Sequence, residues 1–311
     1  MNEIILASQW ESELIVNIQS HASSLLTGIM SAFTMLGEEM LLVAIIGYLY
    51  LCWDKKLGRA MSAGMLFALL GGELLKNSIM RLRPYFANPG IQCFRAPVGS
   101  GDIMDIAVQG YSFPSLHSAN AVIMFGTPFS NLRKRWAKAI FVALILLIGI
   151  SRVYLGSHYP TDVLAGWALG LIALFAVTFV LRSYSNWLAI FIVCALVTLP
   201  GWFVCQTKDF FTAYGLMTGI FIAFHIDDKF VHFSNIPHSW RSVLRLLLGL
   251  VIFLGLCEGL KLPFSKEFLD SGSFAAHLVR TVRYAISSFV IMGLYPMLFK
   301  HTDRFFKRHT H

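Results

Sequence analysis

The sequence predicts an all-α, polytopic helical membrane protein, and three observations carry that expectation. Hydrophobic residues make up 56% of the 311 and charged residues 14%, with a mean hydropathy of +0.65; a soluble domain carries about 25% charged residues. The apolar residues fall in runs of hydrocarbon length, and a span needs about 20 of them, with about 17 as a working minimum. The basic residues cluster in short stretches between the runs. A chain crossing hydrocarbon must satisfy its own backbone hydrogen bonds, so the runs are read as helices.

Taken in order, residues 10–35 place Trp10, Leu14, Ile15, Ile18, Leu25, Leu26, Ile29 and Met30 close to a 3.6-residue period. This predicts one or two amphipathic helices lying in the interface. Spans are then expected near 38–53, 58–80, 115–130, 138–152, 161–182, 187–206, 210–226, 243–260 and 280–299, about nine in all. Within them Gly166 and Gly170, Gly215 and Gly219, and Gly255 and Gly259 form small-residue pairs suited to close helix packing. Glu258 sits in an apolar run and is expected to find a partner on a neighbouring helix.

Most of the 25 Lys and Arg lie on one set of alternate loop ends: Lys55, Lys56, Arg59; Arg133, Lys134, Arg135, Lys138; Arg182; Lys229, Arg241, Arg245; and Lys300, Arg304, Lys307, Arg308. The positive-inside rule places these in the cytoplasm. The loop 84–114, the break at 153–160 and the loop 261–279 then face outward, with the N-terminus outside and the C-terminus inside.

Composition also excludes. The formal charge of +8 is split among short loops, which argues against a nucleic-acid surface. Cys52, Cys93, Cys194, Cys205 and Cys257 show no CxxC or Cys/His spacing, so neither a metal site nor a disulfide framework is expected. The opening Met-Asn-Glu lacks a basic region followed by an apolar one, so no cleavable signal peptide is expected.

Three polar motifs break this apolar chain. In Lys76-Asn-Ser-Ile-Met-Arg-Leu-Arg83-Pro84, the two outer cations are seven residues apart. On a continuous helix that is two turns, so both would project from one face until Pro84 stops the helix. In Tyr111-Ser-Phe-Pro-Ser115-Leu116-His117-Ser118, Pro114 and Ser115 open a span, where free N–H groups favour an anion. In Ser151-Arg152-Val-Tyr-Leu-Gly-Ser-His158-Tyr-Pro-Thr-Asp162, an arginine, an imidazole and a carboxylate crowd a break between two apolar runs. Ionisable groups at such a place are costly unless paired, wetted or bound to a ligand. Two crossings separate the loop after the second span from the loop after the fourth, so all three motifs open on one side. Lys76, Arg83 and Arg152 with His117 and His158, and no cluster of carboxylates, describe a site for a phosphate-sized dianion whose charge is neutralised without a metal.

Jointly, Lys-x6-Arg-Pro, Pro-Ser-x-His and Ser-Arg-x5-His-x3-Asp resemble the signature of the type 2 phosphatidic acid phosphatase superfamily, which shares its site with vanadium haloperoxidases. The resemblance implies a six-span phosphatase core with about three extra C-terminal spans. It further implies that His158 attacks phosphorus to form a phosphohistidine, that Asp162 accepts a hydrogen bond from the His158 ring, and that His117 protonates the leaving oxygen. Lys76, Arg83, Arg152, Ser115 and the backbone N–H near Leu116 would bind the phosphate oxygens. Pro160 suits the first helical position and places Asp162 in the first turn of the fifth span. The family's usual residue between Ser and His is Gly; Leu116 stands there instead, where a side chain would reshape the pocket and any positive φ would be strained.

The expected organisation is an interfacial segment at 1–37, a phosphatase core at 38–182 and a C-terminal transmembrane extension at 183–311, the last with a role in packing, homo-oligomer formation or substrate selection. The implied partners are the lipid bilayer and a lipid phosphate: a polyprenyl phosphate or diphosphate, a phosphatidate-type lipid or a sphingoid phosphate. No cofactor or metal is implied. Alternatives are a phosphotransferase delivering the phosphoryl group to a lipid or sugar hydroxyl, a non-catalytic lipid-binding or transport protein, and, last, a haloperoxidase. The expected location is a bacterial inner membrane with the site on the periplasmic side, or else an endoplasmic reticulum with a lumenal site.

Overall fold

The structure, a computed structural model, describes residues 9–96, 102–236 and 239–299. Lys300, Arg304, Lys307 and Arg308, used above for orientation, lie outside the described residues. Among the described residues every regular element is helical, as the apolar patterning predicts. In chain order they are α1 (Gln9–Ser20), α2 (Ser24–Met35), α3 (Glu39–Tyr48), α4 (Lys55–Ile79), α5 (Pro84–Ala87), α6 (Ile106–Gln109), α7 (Leu116–Gly126) and α8 (Arg135–Tyr154). There follow α9 (Pro160–Ser183), α10 (Trp187–Thr198), α11 (Gly201–Val204), α12 (Lys208–Ile226), α13 (Trp240–Gly259), α14 (Lys266–Asp270) and α15 (Phe274–Phe289).

Among the described residues six stretches are long and apolar enough to cross a membrane: Arg135–Tyr154, Pro160–Ser183, Trp187–Val204, Lys208–Val231, Trp240–Gly259 and Phe274–Leu298. A seventh forms if Ser24–Met35 and Glu39–Trp53, bent by 44°, count as one broken span. The expected total of about nine also counted 58–80 and 115–130. There α4 is long enough but polar, carrying Lys55, Lys56, Arg59, Glu73 and Lys76, while α7 stops at Gly126 after 11 residues, well short of the roughly 20 a crossing requires. Large apolar side chains stay exposed along the qualifying helices, Phe175, Phe179, Val197 and Val251 among them, the surface that lipid covers.

The chain divides into two compact units, Met1–Val43 with Phe67–Val177, and Ala44–Leu66 with Thr178–His311. In the first, α7 meets α9 closely. A Cβ on Gly166 would stand 2.3 Å from the Ser115 carbonyl oxygen, and one on Gly170 2.8 Å from that of Ala119. Bare backbone at these two positions lets the start of α7 rest on α9, as the small-residue pair predicts. A core of Ile15, Tyr85, Ile91, Val153, Tyr159 and Val163 joins α1 to the segments after α4 and α8. The N-terminal helix is therefore built into this unit.

In the second unit α12 packs on α15 through Gly215 and Gly219, whose Cβ atoms would stand 2.4 Å from the Thr281 oxygen and 2.2 Å from the Ala285 oxygen. Gly255 and Gly259 differ: nothing lies within 4 Å of either, so they do not make the close contact their spacing predicts. Glu258 is exposed and pairs with Lys261 at 2.5 Å, one turn along its own chain rather than on a neighbouring helix. Lys55 and Arg59 are not simple loop charges; both bind buried Asp227, at 2.8 and 2.5 Å.

Candidate active site

All eight residues singled out by the motifs lie in the first unit. The helix carrying the first motif ends earlier than Pro84 implies. It stops at Ile79, Met80 takes a left-handed φ of 52°, and Arg83 becomes the N-cap of α5 with Pro84 at its first turn. Lys76 and Arg83 therefore do not share a helix face, which corrects the two-turn argument. Lys76 points from the last turn of α4, whereas Arg83 reaches in from the connection beyond it, and both are buried. Lys76 is paired with buried Glu73 at 2.8 Å, so the site holds a carboxylate that the motifs did not include.

Arg83 is held on several sides. Its Nε donates to the carbonyls of Gln109 and Gly110 at 3.0 and 3.1 Å, and Nη2 to Gln109 at 2.7 Å. Nη1 donates to the Ser157 carbonyl at 3.1 Å and lies 3.2 Å from Nε2 of His158. Arginine cannot give up its proton here, so the contact with Nε2 is a hydrogen bond only if that nitrogen is the acceptor. This assigns the remaining ring proton to Nδ1.

The second motif forms the start of α7 as expected. Ser115 is the N-cap, its hydroxyl accepting from the Ser118 N–H at 3.4 Å and the Ser118 hydroxyl at 3.0 Å. Its own N–H donates to the Asp162 carbonyl at 2.9 Å, tying the second motif to the third. Leu116 does not adopt a positive φ, and its side chain turns toward α4 and α9: a Cβ on Gly72 would stand 2.4 Å from Leu116 Cδ2. The expected strain is absent because φ is not positive, and the bulk that Leu116 adds is accommodated by a glycine on the facing helix. His117 backs onto the break between α2 and α3, where a Cβ on Gly37 would stand 3.1 Å from its carbonyl oxygen. The ring lies within electrostatic range of Arg152, His158, Arg83 and Lys76.

In the third motif, Arg152 lies in the last turn of α8 at 2% exposure and donates from Nη1 to Thr34 at 2.7 Å. Its Nε and Nη2 are buried without a hydrogen-bond partner. Unmet guanidinium donors are expensive in a protein interior, and an anion with several acceptor oxygens is what would meet them. His158, 3% exposed, stands just before α9, which begins at Pro160 as predicted and carries Asp162 in its first turn. Asp162 Oδ2 is 3.6 Å from His158 Nδ1, beyond hydrogen-bond reach. The same oxygen accepts from the Ser112 hydroxyl and from the Tyr159 N–H at 2.8 Å. The pair is therefore adjacent but looser than the expected hydrogen bond. Burial first, and then the cations Arg83, Arg152 and Lys76, push the His158 imidazole well below its ordinary range, which keeps it neutral.

Five residues of this site escaped the motif reading: Glu73, Arg81, Ser112, Thr34 and Glu11. Glu73 was within reach as the i−3 neighbour of Lys76, and Arg81 and Ser112 lie inside the quoted motifs. Nothing local marks Thr34 or Glu11.

Buried Lys76, Arg83 and Arg152 gathered around two histidines in an apolar helical chain make a cluster suited to an anion, and comparison with known proteins shows the family. Residues 58–187 match the PAP2 superfamily and residues 211–304 the transmembrane extension of PAP2 superfamily phosphatases. The chain is 32% identical over 174 residues to phosphatidylglycerophosphatase B of Bacillus subtilis, covering 49% of this chain and 73% of that one. It is 28% identical over 164 residues to an undecaprenyl-diphosphatase of Sulfolobus acidocaldarius, covering 51% and 72%. Among solved structures, Aquifex aeolicus LpxE aligns with a TM-score of 0.47 at 22% identity, over 56% of this chain and 98% of that one. The chain belongs to the PAP2 superfamily and is an integral membrane protein.

Proposed function

We propose that this protein is a phosphatase that removes phosphate from a lipid phosphate or diphosphate through a phosphohistidine on His158. The observation that carries this reading is the setting of the His158 ring. It is buried and neutral, Arg83 sits against Nε2, and the unmet nitrogens of Arg152 belong to the same cluster of charges. The names of the relatives, a phosphatidylglycerophosphatase and an undecaprenyl-diphosphatase, support a lipid phosphate as the substrate class.

In the proposed reaction the Nε2 lone pair attacks phosphorus while the bond to the lipid oxygen breaks; burial and the cations around His117 lower its pKa in the free site, and the bound phosphate dianion offsets those cations, so that His117 carries the proton it delivers to the leaving oxygen. Water, giving its proton to His117, then attacks phosphorus and breaks the P–N bond, which restores neutral His158. Lys76, Arg83, Arg152, Ser115 and the Leu116 N–H hold the three equatorial oxygens, over which the charge of the transition state is spread. Asp162 orients the ring once it closes the 3.6 Å gap to Nδ1. Apo geometry of this looseness is ordinary for catalytic hydrogen bonds, which tighten when substrate binds. Since side chains supply the charge neutralisation, the reaction needs no metal.

The proposal puts the site on the outward face, following the positive-inside reading of the basic loop ends in the sequence. The test is phosphate release by purified protein in detergent from polyprenyl diphosphate, phosphatidate, sphingoid phosphate and a water-soluble phosphate, with and without EDTA. Release from a lipid substrate that survives EDTA and vanishes in His158→Ala is the expected result. Release that persists in His158→Ala overturns the mechanism, and release that EDTA abolishes overturns metal independence.

A further inference from the structure

Arg81 joins three segments that the motifs do not connect. It follows the left-handed residue Met80 and is 4% exposed. Nη1 donates to Asp162 Oδ1 at 2.6 Å and to Thr161 Oγ1 at 2.7 Å, while Nη2 donates to Glu11 Oε2 at 2.5 Å. The guanidinium carbon lies 4.1 Å from the centroid of the Tyr159 ring. Glu11 comes from α1 and is 2% exposed. Its other oxygen accepts the Thr161 hydroxyl at 2.6 Å and the Thr161 N–H at 3.1 Å, one of the first-turn donors of α9 that no helical carbonyl can satisfy.

Two buried carboxylates, Glu11 and Asp162, thus share one guanidinium at the start of α9. As a clamp for α1 alone this would be a costly device, because burying three charges forfeits hydration that apolar packing would not. Its consequence for Asp162 is different in kind. Arg81 holds Oδ1, while the Ser112 hydroxyl and the Tyr159 N–H hold Oδ2. The carboxylate cannot turn, and Oδ2 is the oxygen fixed on the side of His158 Nδ1. Glu11 in turn fixes the fork of Arg81 and offsets its charge, so Asp162 is oriented without being fully neutralised.

We infer that Arg81 and Glu11 are positioning residues for the Asp162–His158 pair, and that α1, which lies outside the stretch shared with the PAP2 family, takes part in orienting the nucleophile. The inference rests on the phosphohistidine reading above. Neither residue is placed on the phosphate, so their loss acts on turnover rather than on substrate binding.

The test uses the full chain purified in detergent, with Glu11→Gln, Arg81→Gln and the double variant beside wild type and His158→Ala. The active fraction is counted from the phosphoenzyme burst, so that misfolded protein does not register as slow enzyme. Expected is a fall in kcat on the order of tenfold or more, the scale of removing a residue that orients a reacting group, with KM within about twofold. The double variant should be no slower than Arg81→Gln alone, because the two act along one path. Single variants with wild-type kcat per active site overturn the inference, as does a loss confined to KM. Should Glu11→Gln not fold, Thr161→Val removes the hydroxyl linking Glu11 to Arg81 and carries the same expectation. A wild type that releases no phosphate, or a His158→Ala that does, instead strikes the phosphatase reading itself.

Discussion

Arg83 meets His158 at 3.2 Å, nitrogen to nitrogen, with a fully charged guanidinium against the ring atom proposed to attack phosphorus. The contact is sustained because the carbonyls of Gln109, Gly110 and Ser157 hold the rest of the fork. A phosphate bound there would take over the Nη1 donor and leave the Nε2 lone pair free. On the proposed reading Arg83 would hold the place of the substrate in its absence and bind it when present.

Arg83→Lys keeps the charge and loses the fork. We expect kcat/KM for lipid phosphate hydrolysis to fall by roughly 100-fold, about 2.7 kcal/mol of transition-state stabilisation. Steady-state phosphate release measures it, and a loss below about threefold would show that position alone, without the planar donors, suffices.

The acid limb of activity should lie low. Burial and the neighbouring Arg83, Arg152 and Lys76 depress the His158 pKa, with Asp162 the opposing charge beside it. A base whose pKa is lowered stays neutral to more acid pH, so kcat/KM should hold below the ordinary imidazole value of about 6.5. The same shift sets a sign for stability. The unfolded chain binds the proton first, so the contribution is full above about pH 6.5 and is lost as pH falls through the folded value. A pH–rate profile of kcat/KM with its acid limb at or above pH 7 would contradict this.

Arg152→Lys should weaken inhibition by vanadate or phosphate more than it weakens folding. Only Nη1 has a protein partner, Thr34, while Nε and Nη2 are the donors available to an anion. An increase in the inhibition constant of about tenfold is expected, the scale of one lost charge-assisted hydrogen bond. Inhibition curves in parallel with thermal unfolding separate the two effects.

Leu116 and Gly72 should behave as one packing unit. Gly72→Ala places a methyl where Leu116 Cδ2 already lies, and overpacking of this kind costs about 1–3 kcal/mol. Adding Leu116→Gly should recover part of that cost, since contacting residues are not additive. Leu116→Gly by itself should retain activity, because the backbone N–H proposed to bind phosphate is unchanged. Thermal unfolding of the two single variants and the double variant decides; strict additivity would refute the coupling.

The glycine pairs separate in the same way. Gly166→Ala drives a Cβ against the Ser115 carbonyl, backbone that cannot move without shifting the start of α7, so both stability and activity should fall. Gly255→Ala meets nothing and should be neutral, or stabilising by up to about 1 kcal/mol from helix propensity. Unfolding midpoints in detergent check both.

What could be read from the chain was local in sequence. Hydropathy marks the membrane helices because each apolar run is contiguous, Ser115 and Pro160 mark helix starts because capping acts over a few residues, and the motif spacings select the residues of the site. Where tertiary packing intervenes, the local rules mislead. Pro84 signals the end of α4, but the helix stops at Ile79 and Arg83 enters from beyond it. Gly255 and Gly259 have the spacing of a helix contact, yet among the described residues nothing comes within 4 Å of a Cβ placed on either. Leu116 looks obstructive until Gly72, 44 positions earlier, is seen across from it. The sequence by itself determined the class of protein, six of its apolar membrane-length helices and which residues to propose for the site. The tertiary structure alone decided how Asp162 is held, because Arg81 and Glu11 lie 81 and 151 positions before it, and no periodicity or spacing rule reaches across chain separations that only folding closes.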